Sequence, residues 1–144
     1  MRAFVTGGTG FIGGQLVRKL RERGDDVVAL VRSPDKAGDL KRLGCELVEG
    51  DVSSSDAIRR GAEGADACFH GAAIYKVGIP KSQHEEMYEA NVRGTERVLD
   101  AAIQAVAMSP LPDMMLIGRL KRKKLALKDE IARLEDMLTP DIIA

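Results

Sequence analysis

The chain has 144 residues, 44% hydrophobic and 31% charged, a composition that suits one globular domain or a small domain with an appendage. Its 22 basic and 22 acidic side chains cancel, which removes the electrostatic ground for nucleic acid or an anionic membrane as a partner. No apolar run nears the ~20 residues that span a bilayer, and the first apolar run meets glycines too early for a signal peptide. The expectation is a soluble, cytoplasmic protein.

Taken in order, residues 1–106 alternate between strand and helix patterns. Arg2–Thr6 is a short apolar strand, and a helix over 11–23 follows it, closed by Gly24. A second strand covers 27–31. Ser33 with Pro34 behind it reads as an N-cap and first-turn pair opening a helix to Leu43, which Gly44 ends. A third strand covers 46–49, and Ser53–Ser55 offers caps for a helix over 56–62. Ala67–His70 is the fourth strand; a loop rich in Gly and Pro (71–81) then leads to a long helix over 83–105. Repeated strand–helix units imply a parallel sheet with right-handed crossovers, covered on both faces. Cys45 and Cys68 fall near the third and fourth strands, on opposite sides of such a sheet. With strands ~4.8 Å apart, that separation exceeds disulfide reach, so two free, mostly buried thiols are expected.

The stretch Ala3–Gly13, AFVTGGTGFIG, organises this half. A strand that runs into glycines and then into a helix reads as the phosphate-cradling entry of a nucleotide-binding α/β fold, or as a glycine-rich turn used only for close helix–strand packing. Bare backbone must approach a pyrophosphate, and helix N-terminal N–H groups must face it. Two glycine registers fit: Gly8, Gly10 and Gly13, or Gly7, Gly10 and Gly13. The amides around Gly10, Phe11 and Ile12 are the candidate pyrophosphate donors.

Farther along, the second strand ends in Arg32, where an acid would grip the ribose hydroxyl of NAD. A guanidinium there suits a 2′-phosphate, so the cofactor is NADP or NAD with NADP favoured. Asp51, beside Val52 after the third strand, either accepts from the adenine amino group or caps the next helix. Ala72 and Ala73, after the fourth strand, let backbone run close to the ribose and nicotinamide half. His70 reads either as a base or as a satisfied strand-end histidine, and His84 as a surface residue. No Cys, His, Asp and Glu spacing resembles a metal site.

The character changes at Met108–Asp113, a linker whose two prolines forbid a continuous helix. From Met114 to Leu138 a heptad runs, with Ile117, Lys124, Ile131 and Leu138 at a and Leu120, Leu127 and Leu134 at d; Pro140 stops it. Bases crowd 119–128 and acids 129–136, so antiparallel pairing with a second copy would bring unlike charges together. This helix either makes a homo-oligomer or packs on its own domain with the charges as a solvated face.

Thr6–Gly13, Gly50–Val52, His70–Ala73 and the run Asn91–Thr95 with Val98–Ala102 together resemble the extended short-chain dehydrogenase/reductases, in the NAD(P)-dependent nucleotide-sugar epimerase/dehydratase branch. Residues 72–102 are most similar to the sugar epimerase-like members associated with hopanoid lipid clusters. The resemblance covers 1–106. It implies Gly7, Gly10 and Gly13 as phosphate glycines, Asp51 and Val52 beside adenine, Ala72 and Ala73 beside the ribose–nicotinamide half, and Asn91 as a supporting polar residue. It also implies a Ser or Thr and a Tyr-x-x-x-Lys farther on, which this sequence lacks: neither Tyr75 nor Tyr88 is followed by Lys four residues on. No catalytic residue is therefore assigned, and binding without turnover is expected. Residues 114–137 resemble the second helix of a small uncharacterised bacterial helical-hairpin family.

The fold expected is thus α/β. It is a truncated Rossmann half-domain (1–106) with a parallel sheet in the order 3-2-1-4, a linker (107–113), an appended amphipathic helix (114–138) and a tail (139–144). A gene fusion or frameshift would also produce such a chain. An open fourth strand at the sheet edge invites aggregation unless the last helix folds back on it.

Overall fold

The computed structural model describes residues 1–78 and 80–138, with the side chains of Lys81 and Leu138 left aside. Ile79 in the 71–81 loop, Pro140 as a helix stop and the 139–144 tail lie outside the described residues. Strands β1 (Arg2–Thr6), β2 (Asp26–Val31), β3 (Glu46–Glu49) and β4 (Ala67–His70) form one parallel sheet in the order β3-β2-β1-β4. Register is set by pairs such as Phe4 with Val28 and with Cys68.

Alternation along β1 and β2 divides the core. Ala3, Val5, Val27, Ala29 and Val31 face α1 (Phe11–Glu22) and α2 (Gly38–Arg42). Phe4, Val28 and Leu30 face the opposite way, against α3 (Ser55–Ala62) and α5 (Gly94–Ala107). The central strands are buried on both faces, which is why they read as continuous apolar runs. Phe4 is fully buried, and Gly61 on α3 makes room for its ring. Gly24 and Gly44 end α1 and α2 at positive φ (85° and 74°), where a side chain is strained.

Three local readings change. Ser33 makes no side-chain cap. Its carbonyl instead accepts from Lys36 N–H at 3.0 Å in a short 3₁₀ turn, Pro34–Lys36, and Ala37 leaves helical geometry before α2 begins. The long helix after the loop is not uniform: α4 (His84–Tyr88) passes into α5 through a π turn at Glu89–Arg93. The two thiols are free, but each is only partly buried.

The final helix, α6 (Met114–Leu138), returns antiparallel along α5. Lys124 Nζ meets Asp100 at 2.5 Å and Lys128 Nζ meets Glu96 at 2.8 Å. At its far end Glu135 hydrogen-bonds Tyr88, whose pKa is raised first by burial and then by that contact. Ile117 is buried, with Lys124 and Ile131 half-buried, so these three a positions are turned inward. The d leucines Leu127 and Leu134 stay 40% and 44% exposed. α6 does not close the sheet. It borders β4 across a groove of about 510 Å³ lined by Cys68, Val98, Leu99, Leu120 and Leu127. No helix among the described residues is long and apolar enough to cross a membrane.

Candidate functional site

A cleft of about 450 Å³ opens at the carboxyl ends of the strands, the end at which doubly wound sheets bind ligands. Its floor is the turn after β1. Gly7 adopts φ 75°, and a Cβ there would lie 2.6 Å from the Gly71 carbonyl carbon and 2.7 Å from Ala72 N. A Cβ on Gly13 would collide with the Gly7 carbonyl, and one on Gly10 would sit 3.3 Å from the same oxygen. Gly8, by contrast, has ordinary van der Waals room, its nearest neighbour being Val17 Cγ2 at 3.4 Å. The steric demand for glycine therefore falls on the register of Gly7, Gly10 and Gly13.

Helix α1 starts at the cleft with Gly10 as N-cap, no capping side chain and no acid in its first turn. Its first-turn N–H groups have no side-chain partner, and the positive end of its dipole faces the opening. The Phe11 and Ile12 side chains are 88% and 81% exposed and do not line the cleft. Only their backbone belongs to the turn. Gly13 also stays off the lining, where it serves as the contact that lets α1 close on the loop.

The remaining candidates converge. Arg32, Asp51 and Val52 line the β2–β3 side, and Ala72 and Ala73 line the β4 side. Asp51 is not the helix cap: Ser54 is, accepting from Ala57 N–H at 3.3 Å. Asp51 Oδ1 instead accepts from Ser53 N–H at 2.8 Å and Ser53 Oγ at 2.5 Å. These Ser53 bonds hold its carboxyl below the usual range, with Arg32 a smaller cause. Arg32 is exposed and has no ion-pair partner among the described residues. Val52 seats α5, since a Cβ on Gly94 would come within 2.9 Å of it.

His70 is a satisfied strand-end histidine. Its Nδ1 lies 2.7 Å from Thr6 Oγ1 and its Nε2 lies 3.1 Å from Thr95 Oγ1. Burial pulls its pKa down. Asn91 sits within the π turn, where a widened helical turn re-aims a side chain. Its amide donates to the Ile74 carbonyl at 2.7 Å and accepts from Ile74 N–H at 2.8 Å. His84 is exposed.

Sequence reasoning missed Thr6, Ser53, Ile74, Glu86 and Glu89, all of which line the cleft. A polar residue ending an apolar strand was the available signal for Thr6. For the two glutamates it was an i, i+3 spacing on one helix. Glu89 is answered by Arg97 at 2.6 Å.

The profile of the NAD dependent epimerase/dehydratase family matches residues 3–109. The chain belongs to that family. A second profile, of a protein family of unknown function (DUF465), matches residues 97–135, most of α5 with most of α6. Among curated relatives, a 4-hydroxy-2-methyl-3-oxo-4-farnesyl-3,4-dihydroquinoline-1-oxide ketoreductase from Stigmatella aurantiaca is 40% identical over 105 residues, covering 73% of this chain and 30% of the relative. Among solved structures, a short-chain dehydrogenase/reductase superfamily protein from Agrobacterium tumefaciens with bound NAD superposes with a TM-score of 0.62 at 30% identity, over 73% of this chain and 30% of that one. A UDP-glucose 4-epimerase from Thermotoga maritima with UDP-glucose gives a TM-score of 0.64 at 28% identity, over 73% and 35%. The chain thus spans about a third of the length of the family members it matches.

Proposed function

We propose that the cleft binds a nicotinamide dinucleotide and that these 144 residues bind it without turning it over. The observation that carries the reading is the Gly7–Gly10–Gly13 cradle against the uncapped, acid-free start of α1. It has room for backbone approach and unspent N–H donors where an anion would lie. Arg32, Asp51 and Val52 would hold the adenosine half, and Ala72 and Ala73 the ribose–nicotinamide half. Bound nicotinamide supplies or accepts a hydride. What this chain's own residues supply is binding and orientation. The nearest imidazole, His70, is occupied on both ring nitrogens, and the sequence holds no Tyr-x-x-x-Lys to move a proton.

Arg32 favours NADP, because a free guanidinium pairs with a 2′-phosphate through charge-assisted hydrogen bonds. Titrating the protein with NADPH and NADH by fluorescence tests both points. Removing Arg32 (R32A) should weaken NADPH at least ~10-fold and leave NADH within ~3-fold, the size of one charge-assisted contact. Failure of both dinucleotides to bind at millimolar concentration would sink the reading.

A second reading, with residues 1–106 as the binding unit and 114–138 as an addition to it, is self-association through α6. It is supported by the exposed d-position leucines Leu127 and Leu134. Sedimentation equilibrium of the wild type against a Leu127→Lys, Leu134→Lys variant decides it. A monomeric wild type across the micromolar range removes it.

A further inference from the structure

The polar atoms around β4 form a directed chain. Ala72 N–H donates to Thr6 Oγ1 at 3.3 Å, and Thr6 Oγ1 meets His70 Nδ1 at 2.7 Å. On the other side of the ring, His70 Nε2 meets Thr95 Oγ1 at 3.1 Å. The Thr95 hydroxyl donates to the Asn91 carbonyl at 2.6 Å, and the Asn91 amide grips Ile74 at both backbone atoms. Elementary accounting fixes every direction. A threonine hydroxyl has one proton, and the Asn91 carbonyl, which only accepts, takes the one on Thr95. Thr95 Oγ1 must then accept from the imidazole, so Nε2 carries the hydrogen. A neutral ring leaves Nδ1 as a lone pair, to which Thr6 donates. Both ends of the chain close on residues 71–74, the β4-side wall of the cleft.

We propose that His70 is the positioning residue of this wall: as the neutral Nε2–H tautomer it ties Ala72, through Thr6, and Ile74, through Thr95 and Asn91, to one point on the sheet. The ligand consequence rests on the dinucleotide reading above; the tautomer and the order of the wall do not. Protonation breaks the arrangement at one atom. An Nδ1–H would face Thr6 Oγ1, which already receives Ala72 N–H, and the Thr6 proton would lose its acceptor at a residue 1% exposed. No charge among the described residues offsets this. β1 presents only Thr6. On α5, Glu96 is held by Arg93 and Lys128 and Arg97 by Glu89. Asp66 at the start of β4 accepts from Arg2 N–H. Lys123 of α6, across the groove, is itself a cation. Burial therefore sets the direction, and the ring titrates below its ordinary 6.5. Because the folded value is depressed, the ordered wall is fully present above 6.5 and is lost as pH falls through the folded value.

The test uses the full chain. Two-bond proton–nitrogen correlation spectra, with the exposed His84 as an internal reference, should show His70 as the Nε2–H tautomer at pH 7.5. In His70→Phe, which keeps the volume and removes both bonds, amide exchange at Ala72 and Ile74 should accelerate about tenfold, the worth of one net hydrogen bond, with Val28 in the core unchanged. NADPH affinity should fall by a similar factor and lose its decline below pH 6.5. His70→Asn, which can still accept from Thr6 but not reach Thr95, should restore protection at Ala72 and not at Ile74. An Nδ1–H tautomer, equal acceleration at Val28, or unchanged exchange at Ala72 and Ile74 would each overturn the proposal. Loss of protection in a protein that never binds NADPH would uphold the positioning role and remove the dinucleotide reading instead.

Discussion

Two concavities of similar size, about 450 and 510 Å³, lie on either side of β4, and their chemistry differs. The cleft gathers groups whose polarity is aimed: the N-terminus of α1, Arg32, the Ser53-held Asp51 carboxylate and the pinned backbone of 71–74. The groove is the larger and is lined mainly by alanine, valine and leucine from α3, α5 and α6, with β4 and the polar Asp66, His70, Thr95 and Lys123 at its sides. Its Cys68 thiol is pushed by burial up to about 11, so it stays protonated at neutral pH. Volume alone would rank the groove first. Convergent polar groups at the carboxyl ends of parallel strands favour the cleft as the proposed binding site, and leave the groove as the space where α6 lies against α5 beside β4.

The largest effect that tests this contrast comes from the cradle. Gly13→Val would drive a side chain into the Gly7 carbonyl. It should abolish dinucleotide binding, at least ~100-fold, and cost ~1–3 kcal/mol or more of stability through overpacking. Gly8→Ala, one residue from Gly7, should stay within ~0.5–1 kcal/mol and keep its affinity, because its nearest neighbour is at contact distance. Thermal melts with parallel NADPH titrations check both. Equal damage from the two substitutions would erase the assigned register.

An intermediate effect separates the groove from the cleft. Ile117 is the buried anchor of α6. Ile117→Asp should release the helix at a cost of ~2–4 kcal/mol, the sum of lost apolar burial and a stranded charge. Helical content should fall while NADPH affinity changes less than ~2-fold, since α6 supplies no residue to the cleft. A large affinity loss in a protein still folded would show that the two concavities are coupled.

Why the strands were readable and the wall was not follows from where the information sits. β1, β3 and β4 were bounded to the residue because each is an apolar run closed by glycine or a charge, and parallel burial on both faces leaves no alternation to misread. The repeated strand–helix units implied only a parallel sheet; its order came from the usual order of dinucleotide-binding sheets. The glycine register was ambiguous because Gly7 and Gly8 are equivalent as letters. What distinguishes them is a φ of 75° and the backbone of Gly71, 64 positions along. His70 poses the same difficulty. Its partners Thr6 and Thr95 lie 64 and 25 residues away in opposite directions, and no local spacing announces them. Ser33 misled for a different reason: a good cap residue before proline is also a good 3₁₀ start, and the backbone took that option. On α6 a heptad seam was expected from the sequence alone, and what the local pattern did not announce is that Asp100 and Glu96 of α5 stand where Lys124 and Lys128 reach them.

A third test acts at the amino end of the sheet, away from both concavities. Asp25 accepts from the N-terminal ammonium at 2.9 Å and from Arg23 Nε at 2.6 Å. These bonds, the ammonium's first, depress its carboxyl below 3.8. A depressed folded value means that the stability it contributes is present above 3.8 and is lost as pH falls through the folded value. Asp25→Asn should therefore lower the melting temperature at pH 7 and match the wild type once both are measured well below pH 3. Dinucleotide affinity at pH 7 should not move.

The smallest effect concerns the pair that holds α6 to α5 by charge. Lys124 sits at an a position, where a leucine would be expected, and its ammonium reaches the exposed Asp100 carboxylate at 2.5 Å. The stem of Lys124 is three-quarters covered, so it packs as it pairs. Because Asp100 is more than half exposed, the ion pair itself should be worth only ~0.2–1 kcal/mol. A double-mutant cycle of Lys124→Met and Asp100→Asn isolates it. The coupling should shrink between 0.05 and 1 M salt as the Debye length falls to ~3 Å, while the Met side chain recovers or exceeds the packing. A salt-independent coupling would mean that the contact is packing rather than charge. In that case Lys124 would belong with Ile117 in the a-position layer that fixes α6 beside the groove.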